Sequence, residues 1–150
     1  MTTIETVSAN RALFAEVMNL WRSESATLGF MPRGGFEQAA ANQCLMAVTD
    51  QAGCLAGYLL YRCTDRGHVA IVHLCVAPAF RGRGIARHLF DQLKSRCSDF
   101  YEIRLRCRRD FPASALWPKL GFVPVADRPA KGKGAVVSHA ISRVGIRVSS

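Results

Sequence analysis

The segment Arg81-Gly82-Arg83-Gly84-Ile85-Ala86-Arg87 concentrates the residue types needed to hold an anion. Its glycines let the main chain approach a ligand closely and take angles that other residues avoid. A helix starting here presents amide N–H groups with no intrahelical acceptor, the positive end of its dipole, and two guanidinium forks. A phosphorylated ligand, gripped mainly by main-chain atoms, suits this pattern. Other residues nearby can move protons: His68 and His73, whose ordinary pKa lies near neutrality, with Tyr58, Tyr61 and Ser114. Each also has a structural reading. His73 fits a hydrogen-bonded core histidine, His68 a turn residue, and the tyrosines and Ser114 simple packing.

Periodicity shows which elements position these groups. Val69-Ala70-Ile71-Val72-His73-Leu74-Cys75-Val76 is almost wholly apolar and predicts a strand over 68–76 covered on both faces. Beyond the loop, Ile85, Leu89, Phe90, Leu93 and Cys97 recur at helical spacing, which predicts a helix over 84–97. Upstream, Ile4–Val7 reads as a short edge strand and residues 9–22 as a helix burying Leu13, Val17, Leu20 and Trp21. Phe36–Ala41 reads as a second helix. Cys44–Val48 and Cys54–Arg62 read as two strands joined by a turn at Asp50 and Gly53. Downstream, residues 100–108 alternate, with Tyr101, Ile103, Leu105 and Cys107 on one face and Glu102, Arg104, Arg106 and Arg108 on a solvated one. The strand–helix–strand order makes this strand parallel to 68–76. Asp110, Pro112 and Gly121 suit the N-cap, first turn and C′ position of a further helix. Phe122–Val125 and Ala135–Ile141 read as strands, with a mobile basic loop between them around Lys131-Gly132-Lys133-Gly134.

At 150 residues the chain can bury a core without metals or disulfides, and no linker or repeat divides it, so a single domain over 1–150 is expected. No apolar run approaches the length of a membrane span, and the first residues lack the pattern of a signal peptide, which points to the cytoplasm. No two of the six cysteines are close enough for a C-x-x-C pair, so reduced structural thiols are expected rather than zinc ligands or a disulfide framework. Charge is uneven. The formal net charge is −1 over residues 1–75 and +10 over residues 76–150. An anionic partner is therefore expected at the C-terminal half, whether cofactor, acidic substrate or nucleic acid.

This order of elements and two of its motifs resemble the GNAT acyltransferase superfamily, whose members move an acyl group from a coenzyme A thioester to an amine. Arg81-Gly82-Arg83-Gly84-Ile85-Ala86 matches the family's Q/R-x-x-G-x-G/A pyrophosphate loop. Leu74-Cys75-Val76 matches the strand end whose backbone pairs with the pantetheine arm, and Lys119-Leu120-Gly121-Phe122 the ending of the helix after the fifth strand. The resemblance covers roughly residues 2–126. It implies an α+β fold with a mixed, mostly antiparallel six- to seven-stranded sheet flanked by about four helices. It implies acetyl-CoA as co-substrate with no metal, and a cofactor site of Leu74, Cys75, Val76, Arg81, Gly82, Arg83, Gly84, Ile85, Ala86, Asp110 and Trp117.

The sequence departs from the family at the positions of proton transfer. Trp117 stands where a tyrosine often protonates the leaving thiolate, Asp110 where asparagine is usual, and Ala70 where a glutamate often acts as base. Pro118 interrupts the same helix, and this Trp-Pro variant resembles a less typical bacterial subgroup. His73, Ser114 and Tyr61 are the remaining candidates for catalysis. The loop Leu28-Gly29-Phe30-Met31-Pro32-Arg33 lies where such enzymes place their acceptor-binding segment. The implied function is N-acetyl transfer by direct attack of an amine in a ternary complex. Two other readings remain open: a non-catalytic acyl-CoA-binding module, and a basic nucleic-acid-binding protein. The C-terminal strand is a candidate for pairing across a homodimer.

Overall fold

The computed structural model describes residues 2–26, 28, 31–64, 67–100, 102–108, 115–129 and 136–143. In chain order these form β1 (Thr3–Thr6), α1 (Ala12–Glu24), α2 (Arg33–Ala41), β2 (Leu45–Thr49), β3 (Leu55–Cys63), β4 (His68–Val76), α3 (Ile85–Arg96), β5 (Glu102–Arg108), α4 (Leu116–Lys119), β6 (Val123–Pro129) and β7 (Val136–Arg143). The result is the expected α+β architecture, a mixed and mostly antiparallel set of seven strands with four helices among the described residues. No helix of the described residues is long and apolar enough to cross a membrane. The chain divides into two compact units, residues 1–62 with 72–93, and residues 63–71 with 94–150.

In the first unit β2 lies antiparallel to both β1 and β3, with Ile4 opposite Val48 and Ala47 opposite Tyr58. Leu45, Met46, Ala47 and Val48 are all buried, so β2 is a strand covered on both faces. That covering was expected of β4, which instead alternates. Its Val69, Ile71, His73 and Cys75 are buried and the residues between them half-buried. An apolar run by itself does not reveal whether a second layer closes over it. Helix α1 buries Leu13, Phe14, Val17 and Met18, while Leu20 and Trp21 stay half-buried, a stripe turned from the expected one. Phe14, an aromatic suited to the core although it lies off the expected stripe, is 1% exposed.

Gly57 sets how closely β3 approaches the end of β4. A Cβ added there would come within 2.7 Å of the Cys75 carbonyl oxygen and 3.3 Å of the Ile85 side chain. Only glycine leaves room for this approach, and Ala77 N–H donates to Ala56 O at 2.8 Å beside it.

In the second unit the start of β4 pairs in parallel with β5, as expected, over His68–Ala70 against Glu102–Arg104. Strand β7 runs antiparallel to β5, from Glu102 opposite Arg143 to Arg108 opposite Val137, and β6 pairs antiparallel with its other side. The strand expected last is therefore interior, with both edges used within the chain, and offers no free edge to a second copy. The outer position falls to β6, where Pro124 and Pro129 lack the N–H groups that would template another strand. Asp110, Pro112 and Ser114, the Lys131–Gly134 segment, and Gly29 and Phe30 lie outside the described residues.

Candidate active site

The loop between β4 and α3 begins with a short 3-10 turn at Pro78–Phe80 and then runs through Arg81-Gly82-Arg83-Gly84. Gly82 and Gly84 have φ of 78° and 77°, in the left-handed region that favours glycine. Open space surrounds the position of a Cβ at either residue, so the requirement is conformational and not one of packing. The second reversal delivers the chain into α3, whose first helical bond here is His88 N–H to Gly84 O at 3.0 Å. Amides of Gly84, Ile85 and Ala86 precede any intrahelical acceptor, at the helix start where the sequence led us to expect an anion. Ile85, 5% exposed, pins this start to the core.

The two loop arginines behave differently. Arg83 packs its guanidinium over the Phe80 ring at 5.5 Å and remains exposed. Arg81 is held from two sides: its Nε donates to Val76 O at 3.2 Å and its Nη2 to Glu24 Oε1 at 3.0 Å. A cleft of about 620 Å³ opens beside the loop and is lined by Thr2, Asp50, Gln51, Phe80, Arg83, Gly84 and His88.

At the end of β4, Leu74 and Val76 are half-buried and Cys75 is 5% exposed. Burial pushes the Cys75 thiol up to about 12, the Glu24 carboxylate adds to the rise and the Arg81 guanidinium opposes it. Cys75 is thus a thiol near neutral pH and not a nucleophilic thiolate. Cys54 and Cys63, by contrast, are exposed.

Of the three candidates for proton transfer, His73 and Tyr61 are described and Ser114 is not. His73 is 2% exposed, its Nδ1 lies 3.2 Å from the Tyr58 hydroxyl, and its ring lies 5.7 Å from that of Phe36. Desolvation by burial raises the Tyr58 pKa, with Cys75 as a smaller cause, so its phenol stays protonated. The structure brings His73 together with Tyr58 and not with Tyr61. Tyr61 stands three residues further along β3, where strand alternation turns it to the opposite face, and its hydroxyl donates to Gln43 O at 3.3 Å. Gln43 has a φ of 61°, so Tyr61 buttresses a left-handed turn.

In the second unit Trp117 packs edge-on against Phe122 at 5.5 Å, and its buried indole N–H has no hydrogen-bond partner among the described residues. Gly121, with a φ of 95°, ends α4 as expected, and Phe122 N–H returns to Trp117 O at 3.1 Å. Ala70 lies opposite Arg104 and supplies no carboxylate. Glu102, expected on a solvated face, is 5% exposed. Its Oε2 accepts from Arg104 Nε at 2.6 Å and lies 3.5 Å from His68 Nε2. A carboxylate beginning a strand beside a histidine turn buries once those two partners surround it. His68 therefore belongs to this polar cluster and is more than a turn residue.

Sequence reasoning missed two residues at the site. Glu24 closes α1, and a carboxylate at the negative end of a helix dipole is an unfavourable placement that hints at a partner elsewhere. Gly57 interrupts an otherwise continuous strand pattern, a sign of close backbone approach.

The sequence matches the acetyltransferase (GNAT) domain model over residues 23–139. No curated protein matches the chain. Among solved structures, Ard1 from Thermoplasma volcanium is similar at a TM-score of 0.79 and 21% identity, covering 95% of this chain and 97% of that one. The ribosomal-protein-S18-alanine N-acetyltransferase of Escherichia coli is similar at a TM-score of 0.73 and 16% identity, covering 98% and 96%. A GNAT-family acetyltransferase from Bacillus cereus reaches 0.80 at 13% identity, covering 98% and 99%. With the family model matching residues 23–139, most of its length, the chain belongs to the GNAT acetyltransferase family.

Proposed function

We propose that this N-acetyltransferase works as one catalytic domain that binds acetyl-CoA at the β4–α3 loop and transfers the acetyl group directly to an amine in a ternary complex. The observation that carries this reading is the pair of left-handed glycines at 82 and 84, which present the first amides of α3 at the end of β4. Amides without intrahelical acceptors at a helix start suit a diphosphate, and the coenzyme's charge accords with the basic C-terminal half. The ladder between β4 and β5 spans only three residue pairs, so the main chain of Leu74–Val76 is not part of it. That segment is the proposed seat of the pantetheine arm and the thioester carbonyl.

In the transfer step the amine nitrogen attacks the thioester carbonyl carbon, forming the C–N bond. The C–S bond then breaks and the sulfur leaves as the CoA thiolate. One proton passes from the nitrogen to water and one reaches the thiolate. A main-chain N–H near Leu74–Val76 stabilises the oxyanion, and fixed geometry supplies much of the acceleration. The high pKa of Cys75 favours direct attack over an acyl-enzyme. His73 is sequestered with Tyr58, which favours water as the carrier of the amine's proton. Trp117 can donate a hydrogen bond but cannot act as a general acid.

A second reading, a module that binds acyl-CoA without turning it over, is favoured by one specific observation: Ala70 and Trp117 occupy the positions of the usual base and acid. Calorimetric titration of CoA, followed by thiol release from acetyl-CoA with benzylamine, spermidine and a short peptide bearing a free N-terminus, separates these cases. Binding with turnover supports transfer. Binding without turnover supports the module, and folded protein that gives no heat with CoA overturns both.

A further inference from the structure

Among the described residues, the indole nitrogens of Trp21 and Trp117 are buried without a hydrogen-bond partner. Trp117 stands at a position already assigned to the cofactor, and Trp21 has no such role. An N–H taken out of water and left unpaired costs free energy that an oxygen placed against it would return. Trp21 lies one turn before the end of α1, where Glu24 meets Arg81 of the loop at 3.0 Å. Its ring packs edge-on against Phe36 at 5.7 Å, and Phe36 lies 5.7 Å from the ring of His73. His73 immediately precedes Leu74–Val76, the proposed seat of the thioester. Phe36, Tyr58 and His73 are at most 2% exposed, whereas Trp21 is half-buried. The indole is thus the member of this aromatic cluster that borders solvent. Its contact with Phe36 offers the N–H at most a ring edge or face, a weak substitute for an oxygen.

We propose that Trp21 selects the acceptor: its indole N–H donates to a carbonyl oxygen beside the reacting amine, so the preferred substrate is an α-amino carbonyl compound such as an amino-acid amide. This inference rests on the proposed seat of the thioester at Leu74–Val76.

The chemistry of the indole sets this choice. Its N–H is a donor only, so it gains nothing from an ammonium and pairs with a neighbouring oxygen. A site with a donor waiting for a substrate oxygen discriminates against the analogue that lacks it, because the donor then stays unpaired. The nitrogen is shielded from bulk water, so an incoming oxygen has little water to compete with. The acceptor must press aside the atoms that shield it, which selects against amines that gain nothing by doing so.

Trp21→Phe on the full chain tests this, since it keeps a ring against Phe36 and removes the N–H. The probes are alaninamide and sec-butylamine, alike at the amine-bearing carbon and different in the carbonyl. With saturating acetyl-CoA and rates expressed per unprotonated amine, wild type is expected to favour alaninamide in kcat/KM by about tenfold. The substitution is expected to raise the KM for alaninamide about tenfold, to keep that for sec-butylamine within about twofold, and to leave that for acetyl-CoA unchanged. The melting temperature is expected not to fall, because the free protein loses no hydrogen bond. A structural role for the indole gives a lower melting temperature and equal losses with both amines, and that result overturns the inference. So does a wild type that uses both amines equally well, or an alaninamide KM that the substitution does not change. A wild type that acetylates other amines and not alaninamide overturns the inference while acetyl transfer stands. No turnover with any amine instead fails the reading on which the inference rests.

Discussion

Each end of β4 lies beside an arginine paired with a glutamate, Arg104 with Glu102 on β5 and Arg81 of the loop with Glu24 of α1, and the two pairs sit in opposite environments. At the start of the strand, Glu102 has a side chain 6% exposed and accepts from Arg104 at 2.6 Å, with His68 at 3.5 Å. At its end, Arg81 meets Glu24 at 3.0 Å with 56% and 20% of their side chains exposed. A carboxylate taken out of water must keep its partners, because removing one leaves an uncompensated charge. A pair left largely in water can be exchanged for a better anion at little cost. The first arrangement therefore serves the fold, and the second is suited to a ligand.

The largest expected effect comes from backbone proximity at the loop end of β4 and not from either ion pair. Gly57→Ala places a Cβ 2.7 Å from the Cys75 carbonyl oxygen, where backbone must shift. A loss of about 2–3 kcal/mol in urea denaturation is expected. A loss below about 0.5 kcal/mol would mean that the end of β4 is soft, and its contrast with the pinned start of the strand would fail.

Arg104→Ala comes next. It leaves the buried Glu102 with His68 as its ionisable partner among the described residues and is expected to destabilise by about 2 kcal/mol, the half-exposed guanidinium holding the loss below that of a fully buried pair. Glu24→Gln in the same assay is expected to stay within about 0.5 kcal/mol. Equal losses at the two sites would erase the distinction between them.

The smallest effect at neutral pH concerns Cys75. Alkylation at pH 8 is expected to modify the exposed Cys54 and Cys63 and to spare Cys75, as peptide mapping would show. The unfolded chain releases this proton near 9.0 and the folded chain near 12. Across that window the unfolded state binds fewer protons, so stability falls as pH rises, with Tyr58 adding in the same direction. Cys75→Ala should flatten the early part of the decline in alkaline melting curves, and an unchanged slope would assign it to other groups.

Much of the scaffold was legible residue by residue. Strand β4 and helix α3 lie within a residue of their expected bounds because a long apolar run and a five-member helical stripe each fix an element locally. The loop was legible for the same reason: its glycines and arginines are neighbours in the chain, and their conformational demands are local. The α1 stripe was read less well. Leu20 and Trp21 are as apolar as Phe14, and only the neighbouring layer decides which of them is covered.

The sequence by itself determined the glycine–arginine loop, the strand that feeds it and the parallel crossover, since short-range sterics and periodicity dictate each. Only the tertiary structure decided that the last strand inserts between β5 and β6 and that Glu102 turns inward. It also decided that His73 pairs with Tyr58 and that Glu24 crosses 57 positions to hold Arg81. Those outcomes depend on which distant segment supplies a partner, a competition among long-range contacts that no local pattern encodes.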